Sequence, residues 1–136
     1  MIVLDTSILS LAFRRRTGSR PAAARLAALI ADDAQLAVPG IVAQELLSGL
    51  KTAAAFQQLD EILGGFPLLL ADRTTHVRAA EVHNRCRAAG VTASTIDCLI
   101  AAHTLLIDAD LLTLDSDFRA ISRHTGLKLH EYGPTR

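Results

Sequence analysis

The sequence predicts an α/β fold of three layers, α/β/α, with helices on both faces of a central, mainly parallel sheet of 4–5 strands. Short apolar runs alternate with longer stretches of helical period along the whole chain. Parallel strands need long connections, and such connections pack as helices. The 136 residues are half hydrophobic and only 4% aromatic, which fits one compact domain, 1–136, built largely of closely packed helices. No internal repeat, low-complexity tract or Ser/Pro linker divides it.

The elements follow in order. Ile2-Val3-Leu4 reads as a buried strand that ends in Asp5-Thr6-Ser7, residues suited to capping a helix. Arg14 to Arg20 form a basic loop, and Pro21 sits in the first turn of an alanine-rich helix running to Ile30. Leu36-Ala37-Val38 is a second strand, Pro39-Gly40 its turn, and Ile41 to Leu47 a helix stopped near Ser48-Gly49. A helix over Thr52 to Leu63 ends at Gly64-Gly65, and Phe66 to Leu70 is apolar enough for a third strand. Asp72 or Thr74 caps a helix to Ala89, with Gly90 in the position that favours a left-handed residue. Ser94 or Thr95 caps a helix through about Leu106. Leu111 to Leu114 is a strand, Asp115 to His124 a helix, and Lys128-Leu129-His130 a last, edge strand.

Fourteen basic residues balance fourteen acidic ones, so no strong net field draws in a polyanion and any nucleic-acid contact must be local. Cys86 and Cys98 are too few for a disulfide framework and read as buried free thiols, which suits a reducing cytoplasm. Asp5 interrupts the first apolar run, no secretory signal is visible, and no stretch is long and apolar enough for a membrane span. A soluble, cytoplasmic, unprocessed chain is expected. The five histidines are dispersed, without the spacing of a zinc site.

In open parallel sheets ligands collect outside the C-terminal ends of the strands. Asp5 and Asp115 directly follow apolar runs, Asp97 lies in the first turn of its helix, and Glu45 lies in the helix after the second strand. Each alone is ordinary, since such acids cap helices or favour helix dipoles. Together they place four carboxylates at one edge of the sheet. Mutual repulsion would raise their pKa values unless a cation neutralises them, and oxygen-only ligands favour Mg²⁺, with Mn²⁺ as the alternative. The chemistry implied is phosphodiester hydrolysis by a metal-activated water. Asp5 and Asp97 are expected to make the most direct metal contacts, with Glu45 and Asp115 as further ligands. The hydroxyls of Thr6 and Thr113 would hold those ligands in place.

On four segments the chain resembles the PIN-domain family, especially the VapC-type ribonuclease toxins of type II toxin–antitoxin pairs. These are Ile2-Val3-Leu4-Asp5-Thr6-Ser7, Val42-Ala43-Gln44-Glu45-Leu46-Leu47-Ser48-Gly49, Thr95-Ile96-Asp97-Cys98-Leu99-Ile100-Ala101-Ala102 and Leu112-Thr113-Leu114-Asp115-Ser116-Asp117-Phe118. Each segment is weak by itself, but four in the family's order make a specific signal. The resemblance implies a Mg²⁺- or Mn²⁺-dependent endoribonuclease acting on RNA. It also implies a homodimer, inhibition by a cognate VapB-like antitoxin, and a heterotetramer or larger assembly with it. Asp115 and Asp117 are two residues apart, so only one is expected to face the site, and Asp115 is nearer the strand end.

Arg14, Arg15, Arg16 and Arg119 are candidates for gripping RNA phosphates, since guanidinium groups bind them in a bidentate manner. A single tyrosine, Tyr132, offers little for stacking bases. An alternative of another class is a receiver-like, Mg²⁺-binding signalling domain without nuclease activity. That fold wants paired acids after the first strand and a lysine ending the last one, whereas Asp5 stands alone and Lys128 begins its strand.

Overall fold

The structure, a computed structural model, describes residues 1–14 and 20–132, without the side chains of residues 13, 14 and 20. Its elements are β1 (Ile2–Leu4), α1 (Thr6–Arg14), α2 (Arg20–Ala31), β2 (Leu36–Pro39), α3 (Gly40–Ser48), α4 (Ala53–Leu63) and β3 (Leu68–Leu69). They continue with α5 (Arg73–Ala88), α6 (Thr95–Leu106), β4 (Asp110–Leu112), α7 (Asp117–His124) and β5 (Lys128–Leu129). The five strands form one sheet in the order β3-β2-β1-β4-β5, and every pair is parallel.

This order fixes where a site belongs. From β1 the chain winds outward to β2 and β3, then crosses back to β4 and β5 on the other side of β1. Right-handed crossovers therefore send α1 to α4 over one face and α5 to α7 over the other. The packing agrees: α1 lies against α2 and α3, and α3 against α4, whereas α5 packs on α6 and α7. The winding reverses between β1 and β4, so a crevice opens outside the carboxyl ends of those two strands. Val3, Leu4, Leu111 and Leu112 there are completely buried, because both faces of the sheet are covered.

Local signals set most element ends. Asp72 caps α5 in a reciprocal capping box with Thr75, whose backbone N–H donates to it at 3.0 Å. Ser94 caps α6 by accepting from the Asp97 N–H at 3.0 Å. Gly90 has φ +78°, the left-handed turn that releases the chain from α5.

Three expected boundaries are corrected. The apolar run from Phe66 to Leu70 pairs only at Leu68 and Leu69. Pro67 has no N–H to give and contributes only its carbonyl, which accepts from Val38 at 2.9 Å, while Leu70 is 76% exposed. The fourth strand is Asp110–Leu112 rather than Leu111 to Leu114, because the Thr113 hydroxyl and the Leu114 N–H turn to bond side chains of the first segment. The seventh helix begins at Asp117, not Asp115, because Asp115 accepts the Asp117 N–H on its own Oδ1 at 2.9 Å and forms a turn instead. Cys86 and Cys98 are free and buried, as expected.

Candidate metal centre

Asp5 leaves β1 at the point where the sheet reverses its winding, and only 3% of it is exposed. Its Oδ1 accepts from the Ser7 hydroxyl at 2.7 Å and the Ile8 N–H at 3.3 Å, and its Oδ2 accepts from the Thr113 hydroxyl. Thr113 in turn accepts the Asp115 N–H at 2.9 Å, and the Ser7 oxygen accepts the Leu114 N–H at 2.9 Å. A three-residue motif on one strand end thus fixes the backbone that carries the last acids. Burial raises the Asp5 pKa, and the three hydrogen bonds oppose that rise.

Asp97 stands in the first turn of α6, aimed by the Ser94 cap. Burial pushes its pKa up to about 6, and the charge of Asp115 adds to this, with smaller contributions from Asp117 and Asp5. One carboxylate oxygen each from Asp97, Asp115 and Asp117 lies within 4.8 Å of the others. Such a group is unfavourable as three bare anions, and its all-oxygen donor set suits a hard divalent cation.

The structure therefore brings Asp97 and Asp115 together beside Asp5, but Asp5, expected among the most direct metal contacts, lies outside the three-acid group, its two oxygens engaged by Ser7, Ile8 and Thr113. It also corrects one expectation: Asp115 and Asp117 are not exclusive, because the turn made by Asp115 curls Asp117 back toward the same point. Glu45, on α3, lies outside that three-acid group and is exposed; its Oε1 accepts from the Thr6 hydroxyl at 2.7 Å. Thr6, next to Asp5 in the chain, thus holds Glu45, and Thr113 ties Asp5 to Asp115. Ser94 is the cap expected, with Thr95 as its alternative, for the helix that carries Asp97. Ser7, expected only among the residues that cap the first helix, donates to Asp5 and accepts the Leu114 N–H. Arg119, on α7, lines a cavity beside Asp115. Arg15 and Arg16, with the side chain of Arg14, lie outside the described residues.

A family model described as PIN domain matches residues 2–124. The chain belongs to the PIN-domain family. VapC ribonuclease Mb1587 of Mycobacterium bovis and ribonuclease VapC11 of Mycobacterium tuberculosis are each 35% identical to it over 130 residues, covering 94% of this chain and 96% of theirs. The crystal structure of FitAcB from Neisseria gonorrhoeae shares the fold with a TM-score of 0.79 at 23% identity, covering 96% of this chain and 97% of that one. The structure of VapBC2 from Rickettsia felis, bound to a DNA fragment from their promoter, gives 0.78 at 24% identity, covering 98% and 100%.

The receiver-like alternative loses its remaining support in this PIN domain. Lys128 pairs in register with Asp110 at the start of β4, the end of the parallel sheet opposite the acids, and its ammonium group bonds Asp108 at 2.9 Å. No helix among the described residues is long and apolar enough to cross a membrane.

The raised pKa of Asp97 gives a signed prediction for the metal-free PIN domain. The folded state holds a proton on this group up to about pH 6, whereas the unfolded chain releases it near the ordinary aspartate value of 3.8. Between those values the native state binds more protons, so the contribution of Asp97 to stability falls as pH rises from 4 to about 6 and stays low above it. Thermal melts in EDTA should show wild type losing stability relative to Asp97→Asn across that window. A constant difference between the two proteins from pH 4 to 7 would contradict the assignment.

Proposed function

We propose that this PIN domain is a Mg²⁺- or Mn²⁺-dependent endoribonuclease, the toxin of a VapBC-type pair, restrained by a cognate antitoxin. The observation that carries the reading is the convergence of Asp97, Asp115 and Asp117 within reach of one cation, in a chain 35% identical over most of its length to named VapC ribonucleases. The antitoxin partner is supported by the fold shared with VapBC2. A homodimer, and a larger assembly with the antitoxin, belong to the same reading.

In this scheme Asp97, Asp115 and Asp117 hold the cation, with Asp5 buried behind them and Glu45 at the rim. A divalent cation bound there supplies a water of lowered pKa and offsets charge developing on the phosphodiester. Asp5, locked by Ser7, Ile8 and Thr113, sits at the base of the crevice and fixes the turn that presents Asp115. Glu45 is held by Thr6 where it can orient a water or accept its proton. Because the attacking group is water, a neighbouring 2′-hydroxyl has no role, and products should carry no cyclic phosphate.

Purified protein incubated with total cellular RNA should cleave it in Mg²⁺ or Mn²⁺ and stop when EDTA is added. Glu45→Gln should slow cleavage by about 10- to 100-fold while leaving the melting temperature in EDTA unchanged, as befits an exposed group that positions rather than anchors. Cleavage that survives EDTA, or ends in cyclic phosphates, would overturn the metal mechanism.

A further inference from the structure

We propose that a small cavity beside the three acids is a subsite for a phosphodiester group of the RNA strand flanking the reacting bond, with Arg119, Ser116 and Tyr132 as its donors. This rests on the ribonuclease reading and deepens it. The cavity has a volume of about 90 Å³ and lies between the β4–α7 turn and the segment after β5; its walls include Asp115, Ser116, Arg119, Glu131 and Tyr132. Asp115 belongs both to this wall and to the cation-sized cluster, so the two sites are contiguous. Roughly three waters would fill such a space. A phosphate group fits.

The donors in the wall divide into those already engaged and those that are not. The Thr113 hydroxyl is used between Asp5 and the Asp115 N–H, and His130 accepts from Arg25 on Nε2 at 2.9 Å while its Nδ1 lies toward Asp110, 3.9 Å away. The Ser116 hydroxyl, by contrast, makes no capping bond to α7 although Ser116 occupies the cap position. Arg119 stands four residues after Asp115 yet forms no ion pair among the described residues. The half-buried ring of Tyr132 packs on the core and contributes to the same wall. A chain of zero net charge needs a local cation to hold a polyanion next to a group of acids, and Arg119 supplies it with a fork that matches phosphate. Glu131, exposed in the same wall, opposes the anion.

The test measures binding of a fluorescein-labelled 12-nucleotide single-stranded RNA of mixed sequence to the full chain in Ca²⁺, as a function of salt. Arg119→Gln should weaken binding and flatten the plot of log K against log salt by about 0.7, the share of one phosphate contact on a single strand. Ser116→Ala and Tyr132→Phe should each weaken binding up to about tenfold with the slope unchanged, because neutral donors release no counterion. Glu131→Gln should tighten it. Wild type that binds while Arg119→Gln keeps the same affinity and slope would overturn the subsite alone. Wild type that binds no RNA would overturn the ribonuclease reading and the subsite with it.

Discussion

Asp97→Asn is expected to lower metal-dependent RNA cleavage by at least about a hundredfold, since even residues that merely support ligands typically cost 10- to 100-fold. The same substitution should raise the melting temperature in EDTA at pH 7. In the metal-free protein Asp97 is a half-buried carboxyl whose charge is opposed by Asp115, Asp117 and Asp5, and the amide removes that conflict at nearly constant shape. Loss of activity with gain of stability is the signature of a residue retained for its chemistry. A variant less stable than wild type in EDTA would mean that Asp97 has a structural role, and normal cleavage would remove it from the centre.

Asp5→Ala is expected to be costly to the fold as well as to activity. The carboxylate accepts three hydrogen bonds in a site that is 3% exposed. Removing it leaves the hydroxyls of Ser7 and Thr113 without their acceptor, and hydrogen bonds to charged groups contribute about 1.5–3 kcal/mol each before any rearrangement. The desolvation cost of the buried charge offsets part of this. A net loss of about 3 kcal/mol, equivalent to a drop of about 10 °C for a domain of this size, is expected. Cleavage should vanish in the fraction that remains folded, because the turn that presents Asp115 is anchored on Thr113. Thr113→Val is the control: it breaks one of these bonds and should destabilise by less. Asp5→Ala melting at the wild-type temperature would show that the network carries no stability.

Much of this was legible from the amino acids. Alternating apolar runs and helical stretches predict a parallel sheet with helices on both faces, and the five strands are all parallel. The acids were legible because they sit just past strand ends or in first helical turns, where a parallel sheet gathers its ligands. Apolar character did not reveal depth of burial. Leu68 and Leu70 are as apolar as Leu111 and Leu112, yet they lie at the sheet edge and are 52% and 76% exposed. Nor did sequence spacing show that Asp115 caps a turn and brings Asp117 with it, since that depends on which way one carboxylate faces. The partnership of Thr6 with Glu45, 39 residues away, follows from how α1 and α3 pack and has no local signature.

The proposed centre holds a divalent cation where β1 and β4 end, between Asp97 and the two acids of the β4–α7 turn. Anomalous diffraction from crystals of the protein soaked in Mn²⁺ tests it most directly. A peak should appear among the carboxylates of Asp97, Asp115 and Asp117 and be absent from the same crystals of Asp97→Asn. A fully occupied Mn²⁺ elsewhere, with these three carboxylates free of metal, would rule out this centre.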